Sequence, residues 1–308
     1  MKLSFRSVIA AAILTTPLVP LAAQATTAPP SCIVSMSPTA TETLFAIGAG
    51  SQVKAVDRDS NFPVGRLPKT RIDALNPSVE AVAGVCPKKN GKAVKPDLVI
   101  ISYDANNIKS NLTSLGIRVV EQDAATSVSD ALAQIRQLGT LTGHVAAANR
   151  LASSVQRDIN AAVVSVSATA ARLKVATSSI TVYYELDPTH YSITSDTFVG
   201  ALLSSLGVTN IADAVATESD YGYPQLSREY VVSASPKVIF LADTKCCSVN
   251  ATMVASRTGF SGVRAVKYHH VIALNDDVAS RWGPRLSTLM RQIAAAINTA
   301  LAQKSWTK

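Results

Sequence analysis

A chain of 308 residues has room for two domains of ordinary size, each with its own core. Hydrophobic residues make up 47% of it and charged residues 16%, which excludes an intrinsically disordered protein. The net charge is +8, yet the lysines gathered in one loop (Lys88, Lys89, Lys92 and Lys95) have no aromatic residues interleaved for base stacking, so they read as a solvated surface and no nucleic-acid partner is expected.

Lys2 and Arg6 precede an apolar stretch from Val8 to Leu21, broken by Pro17 and Pro20, and Ala23-Gln24-Ala25 supplies a small-x-small cleavage site. Residues 1–25 therefore read as a signal peptide, too short and too interrupted to remain as a transmembrane helix, and the expected product is exported to a periplasmic or other extracytoplasmic space. Cys32 follows Pro29-Pro30-Ser31 rather than the Leu-Ala-Gly-like run of a lipid-attachment site, so a soluble mature protein is expected.

Ile33 to Met36 reads as a short buried strand, and Ser37-Pro38-Thr39-Ala40-Thr41-Glu42 as its turn into a helix capped by Thr39 or Thr41. Val53 to Val56 is the next strand, and Asn76 or Ser78 opens another helix. Leu98 to Ser102 is a strand, Asn111 to Leu115 closes a helix at Gly116, and Ile117 to Val120 is a further strand. The run from Val145 to Lys174 has neither Pro nor Gly, and Leu151, Val155, Ile159, Val163 and Val166 fall three or four residues apart on one helical face. With Thr142 as its N-cap after Gly139, a helix of about 30 residues spans roughly 45 Å and joins two lobes as a strut.

Beyond it the alternation restarts: strand Ile180 to Tyr184, helix Thr197 to Leu206, helix Gln225 to Ser233, strand Val238 to Leu241, strand Val271 to Leu274 and helix Pro284 to Leu301. The predicted fold is α/β: two Rossmann-like lobes with parallel sheets joined by one long α-helix. The expected boundaries are an N-terminal lobe over 26–142, the linking helix over 143–175 and a C-terminal lobe over 176–308.

Export into an oxidising compartment makes disulfides the default for Cys32, Cys86, Cys246 and Cys247. Cys32 directly precedes the strand at Ile33, and Cys86 lies shortly before the strand at Leu98. If these strands are parallel neighbours, both cysteines lie at the same end of the sheet, so Cys32 is expected to pair with Cys86. Cys246 and Cys247 remain as an adjacent pair; a bridge between them, free thiols and a different pairing all stay open.

Ligands of parallel sheets bind beyond the carboxyl ends of the strands. Loops at those ends carry Tyr103, Tyr191, Tyr221, Tyr223 and Trp282, a concentration of aromatics that favours a flat or bulky organic ligand over a small ion. Tyr183 and Tyr184 are read as core residues. His144 and His190 stand alone, and adjacent His269 and His270 would point to opposite faces of an extended segment, so no metal site is expected. No phosphate-binding glycine loop or nucleophile–base pair is apparent, so the chain reads as a non-enzyme without a cofactor.

Four segments resemble the helical-backbone class of extracytoplasmic substrate-binding proteins of ABC importers, which handle vitamin B12, ferric siderophores and haem. They are Ile33-Val34-Ser35-Met36-Ser37-Pro38-Thr39-Ala40-Thr41-Glu42, Lys95-Pro96-Asp97-Leu98-Val99-Ile100, Tyr223-Pro224-Gln225-Leu226-Ser227-Arg228-Glu229 and Ser235-Pro236-Lys237-Val238-Ile239. The resemblance implies a monomeric carrier that holds a corrinoid or other bulky metal chelate between its lobes. It implies docking to the importer permease through one glutamate per lobe, Glu80 and Glu229, and ligand contacts from Tyr103, Tyr223 and Trp282, from Asp276 or Asp277, and from nearby Arg281. A siderophore or haem is the alternative ligand, and a secreted metal-dependent enzyme or metal chaperone the alternative of a different class.

Overall fold

The computed structural model describes residues 28–303, so the expected signal peptide lies outside the described residues. The N-terminal half runs β1 (Ile33–Met36), α1 (Pro38–Ala46), β2 (Val53–Asp57), β3 (Thr70–Ile72), α2 (Val79–Ala83), β4 (Leu98–Ile101), α3 (Ile108–Ser114), β5 (Val119–Glu121) and α4 (Val128–Thr142). After α5 (Val145–Leu173) come β6 (Thr181–Glu185), α6 (Phe198–Ser205), β7 (Thr209–Asn210), α7 (Arg228–Ala234) and β8 (Val238–Leu241). The chain closes with α8 (Ala251–Ser256), α9 (Arg264–Lys267), β9 (Val271–Ala273), α10 (Asp276–Ala279) and α11 (Leu286–Leu301).

Strands order as β3-β2-β1-β4-β5 in one sheet and β7-β6-β8-β9 in the other, and every neighbouring pair is parallel. Parallel sheets are covered on both faces, and β1, β4 and β8 are buried at every residue, which is why they read as unbroken apolar runs rather than alternating ones. The result is the α/β fold of two Rossmann-like lobes joined by one long helix.

Two expected helix caps move. Ser37, not Thr39 or Thr41, caps α1: its hydroxyl accepts from Ala40 N at 3.3 Å, with Pro38 in the first turn. Thr142 does not cap α5; it is the last residue of α4, its hydroxyl donates to Leu138 O at 2.7 Å, and His144 occupies the N-cap position. The α4 helix itself is absent from the sequence reading, because Gly139 looks like a breaker there. In the structure Gly139 is where α4 crosses α5, and a Cβ on it would overlap the Cβ of Ala148.

The α5 stripe packs as spaced. Val155, Ile159 and Val166 are buried, Leu151 and Val163 are partly so, and Ala148, Ala152, Ala162 and Ala170 fill the remaining inward positions. These small residues let α4 and α11 both lie against α5, and one apolar core runs from β1 and α1 through α4, α5 and α11 to β6 and β8.

Strands β1 and β4 are parallel neighbours, with Ile33 beside Leu98, so Cys32 and Cys86 meet at the amino end of the sheet and form a disulfide with Cα atoms 6.0 Å apart. That bond also occupies the Cys32 sulfur. Cys246 is bonded to its neighbour Cys247. Among the described residues no helix is long and apolar enough to cross a membrane.

Helix propensity alone gives Gly139→Ala a gain of about 1 kcal/mol. The overlap with Ala148 reverses the sign, and the expected result in urea unfolding is a loss of about 1–2 kcal/mol.

Candidate ligand-binding cleft

In each sheet the strand order reverses once, between β1 and β4 in one lobe and between β6 and β8 in the other. Loops leaving the carboxyl ends of strands diverge at such points and leave a crevice. Leu186 after β6 and Ala242 after β8 line a cavity of about 610 Å³, together with Tyr184, Ile193, Phe198, Val199, Tyr221, Tyr223, Cys246 and Asp276. Ala124, Ala125 and Thr126, which follow β5, close it from the N-terminal lobe. A smaller cavity of about 270 Å³ lies against Ser37, Pro38, Thr39, Asp59 and Ser102, and shares Ser280, Arg281 and Trp282 with the larger one. The cleft is thus walled mainly by apolar and aromatic side chains with a few polar groups, the composition suited to a bulky organic ligand.

The expected site residues separate into distinct roles. Tyr221 and Tyr223 line the larger cavity, and both remain exposed. Trp282 borders both cavities, and its indole N–H donates to Gln134 Oε1 on α4 at 2.8 Å. Tyr103 and Tyr191 lie outside both cavity walls, Tyr103 being 68% exposed beyond Ser102 and Tyr191 pairing its backbone with Gln225. Asp276 borders the larger cavity, but its carboxylate accepts from Thr244 Oγ1 and from the backbone N–H groups of Lys245 and Cys246, so it holds the wall loop in place. Tyr184, read as core, is buried and also forms part of the wall.

Arg281 is the centre of an interlobe network. It is 7% exposed and donates to Glu42 Oε1 at 2.6 Å, Asn61 Oδ1 at 2.9 Å and Asp59 O at 2.9 Å in the N-terminal lobe, and to Asp277 Oδ1 at 2.9 Å. Arg285 adds two bonds to the buried Glu42 carboxylate and lies over the Phe62 ring at 4.6 Å. Burial pushes the Asp277 carboxyl up, but hydrogen bonds from Lys245 and Asn61 and the Arg281 and Lys245 charges outweigh it and hold the group below its usual range. Sequence reasoning missed this network: Glu42 and Asn61 stand more than 200 positions from Arg281, and no local spacing links them.

Glu80 and Glu229 sit in the first turns of α2 and α7, both exposed. Backbone N–H bonding, with Ser78 for Glu80 and Arg228 for Glu229, lowers both carboxyl pKa values, so each stays ionised well into the acid range. Behind the wall loop, two buried carboxyl groups, Glu185 and Asp243, lie against one another; Arg257 pairs with Glu185 through both oxygens at 2.6 and 2.7 Å. Burial first, and then the Glu185 charge, push Asp243 up to about 7. Among the described residues no three His, Cys, Asp or Glu side chains form a metal-holding group, and no histidine lines either cavity.

The profile of a family described as periplasmic binding protein matches residues 33–278. The chain belongs to that family. Its proteins are substrate-binding components of transporters rather than enzymes, and the long α5 backbone places this periplasmic binding protein in the helical class of ABC-importer binders. The uncharacterized ABC transporter substrate-binding lipoprotein YvrC of Bacillus subtilis is 29% identical over 276 residues, covering 87% of this chain and 80% of that protein. The vitamin B12-binding protein of Pectobacterium carotovorum is 29% identical over 281 residues, covering 90% of this chain and 91% of that protein. The periplasmic heme-binding protein RhuT from Roseiflexus superposes with a TM-score of 0.70 over 88% of this chain and 99% of that one; at 22% identity it shows the shared fold.

Replacing Glu42 with Leu leaves the buried Arg281 and the partly buried Arg285 without their shared partner. A loss of about 3 kcal/mol is expected in urea unfolding, the low end for a broken buried pair because Asp277 and Asn61 still hold Arg281. Asp243 gives a pH signature. An unfolded aspartate titrates near 3.9, so between about pH 4 and 7 the folded protein keeps a proton that the unfolded chain has lost, and stability falls as pH rises through that window. Asp243→Asn is expected to flatten this slope, measured as the difference in unfolding free energy between pH 5 and pH 8.

Proposed function

We propose that this periplasmic binding protein captures a corrinoid in the interlobe cleft and delivers it to the permease of an ABC importer. The observation that carries the reading is the cleft itself: aromatic and apolar walls from Tyr184, Phe198, Tyr223 and Trp282, with polar groups at its borders, in a chain whose curated relatives include vitamin B12-binding proteins. A corrinoid is large, partly flat and already carries its metal fully ligated, so the protein need supply packing and hydrogen bonds rather than a ligand set. A ferric siderophore or haem is the second reading, favoured by the Tyr221 and Tyr223 hydroxyls at the cavity and by structural likeness to a haem-binding protein.

The carrier acts as an exported monomer, freed from residues 1–25 by signal cleavage. Its lobes, divided near 26–142 and 176–308, grip the ligand from both sides, and Tyr103 and Tyr191, outside both cavity walls, contact the part of the ligand that protrudes. Glu80 and Glu229 dock on the permease, which separates the lobes to release the ligand. A continuous α5 packed on both α4 and α11 resists bending, so the lobes move little on binding.

Isothermal titration with cyanocobalamin, haemin and a ferric siderophore decides among the ligands. Saturable binding of cyanocobalamin is the expected result, and its absence at high micromolar concentration, with haemin or siderophore bound instead, selects the second reading. The double variant Glu80→Ala with Glu229→Ala is expected to abolish uptake while changing ligand affinity by less than about threefold, since both residues are exposed away from the cavity walls.

A further inference from the structure

The loop over residues 243–249 joins β8 to α8 and supplies Cys246 to the wall of the larger cavity. Cys246 and Cys247 are both exposed, whereas the other disulfide partners, Cys32 and Cys86, are buried at 3% and 6% exposure. A reductant in solution therefore reaches one disulfide and is kept from the other. Bonding two adjacent cysteines closes a small ring around the single peptide bond between them, and backbone N–H groups in and beside that ring join Thr244 and Lys245 in seating the loop. Cys246 N donates to Asp276 Oδ2 at 2.8 Å, and Cys247 N to Asp243 O at 3.2 Å. Ser248, the next residue, is held in the left-handed region at φ 58°. Lys245 ties the same loop to the interlobe network: its N–H donates to Asp276, and its ammonium donates to Asp277 at 2.7 Å, which in turn pairs with Arg281.

We propose that the Cys246–Cys247 disulfide is a thiol–disulfide exchange site in the ligand wall, and that its reduction by a dithiol unseats the loop from Asp276 and reshapes the cleft. The effect on ligand capture rests on the cleft being the ligand site; the exchange chemistry and the loop movement do not. One thiolate of the dithiol attacks a sulfur of the pair, the Cys246–Cys247 bond breaks and a mixed disulfide forms. The second thiolate then breaks that mixed disulfide. Two electrons pass from the dithiol, which leaves as its own disulfide, and two protons end on the Cys246 and Cys247 thiols. With the ring open, the Cys246 Cα is released from the geometry that presents the adjoining Cys246 N to Asp276. The wall at Cys246 and the Lys245 link to Asp277 loosen together.

The test treats the full-length mature protein with dithiothreitol, removes the reagent under anaerobic conditions, and maps free thiols by alkylation and mass spectrometry. Labelling at Cys246 and Cys247, with Cys32 and Cys86 protected, is expected. Hydrogen exchange over residues 243–249 should then be about tenfold faster in the reduced form, and cyanocobalamin should bind about three- to tenfold more weakly. The double variant Cys246→Ser with Cys247→Ser should match the reduced protein in both measurements and ignore the reductant. Equal exchange rates in the two redox forms, preferential labelling of Cys32 and Cys86, or a redox response that persists in the double variant would overturn the proposal. Should cyanocobalamin bind neither form, the corrinoid reading falls, and the exchange rates alone then decide the redox site: a difference supports it and equality sinks it.

Discussion

Glu42 is a carboxylate buried in the first helix of the N-terminal lobe, and the groups that neutralise it, Arg281 and Arg285, come from the far end of the chain. A charge taken out of water costs several kcal/mol unless it is paired and hydrogen-bonded, so the two lobes are bound to the arrangement that brings these residues together. Arg281 extends the constraint. It reaches Asn61 and the Asp59 carbonyl on one lobe and Asp277 on the other, and Trp282, the next residue, is fixed by Gln134. The polar side of the cleft is therefore a set of side chains already occupied with one another, while apolar side chains line the larger cavity.

The same arrangement bears on motion. Binders whose lobes are joined by extended strands swing at those strands. Here α5 is sheathed by α4 and α11 in one apolar core that continues into both sheets, and close packing does not deform smoothly. Lobe separation thus has to break the Glu42 pairs or slide α5 against its neighbours. Under the proposed docking role, Glu80 and Glu229, exposed and kept ionised by their helix starts, give a partner one point of attachment on each lobe.

Much of the fold was legible because its signals are local. Unbroken apolar runs such as Leu98 to Ile101 mark strands buried on both faces, Ser78 and Thr197 sit where caps are needed, and the 3.6-residue spacing through Val155, Ile159 and Val166 marks the inner face of α5. The Cys32–Cys86 pairing followed from strand adjacency for the same reason. Where the reading failed, a tertiary contact had overruled local chemistry: Gly139 looked like a break and is instead a crossing point, which hid α4 and put the N-cap of α5 at Thr142 instead of His144.

The site was legible in part. Tyr221, Tyr223 and Trp282 could be placed near the cleft from their position after strand ends, whereas the division of labour between wall and scaffold could not. Asp276, Asp277 and Arg281 read as ligand contacts; they border the cavities, and their hydrogen bonds also go to the 244–246 loop and across the lobes. By itself the sequence determined the α/β alternation, the long helix and the family, because each depends on residues close together in the chain. Tertiary structure alone decided which polar groups hold the lobes together, since burial and pairing over more than 200 positions leave no trace in local spacing.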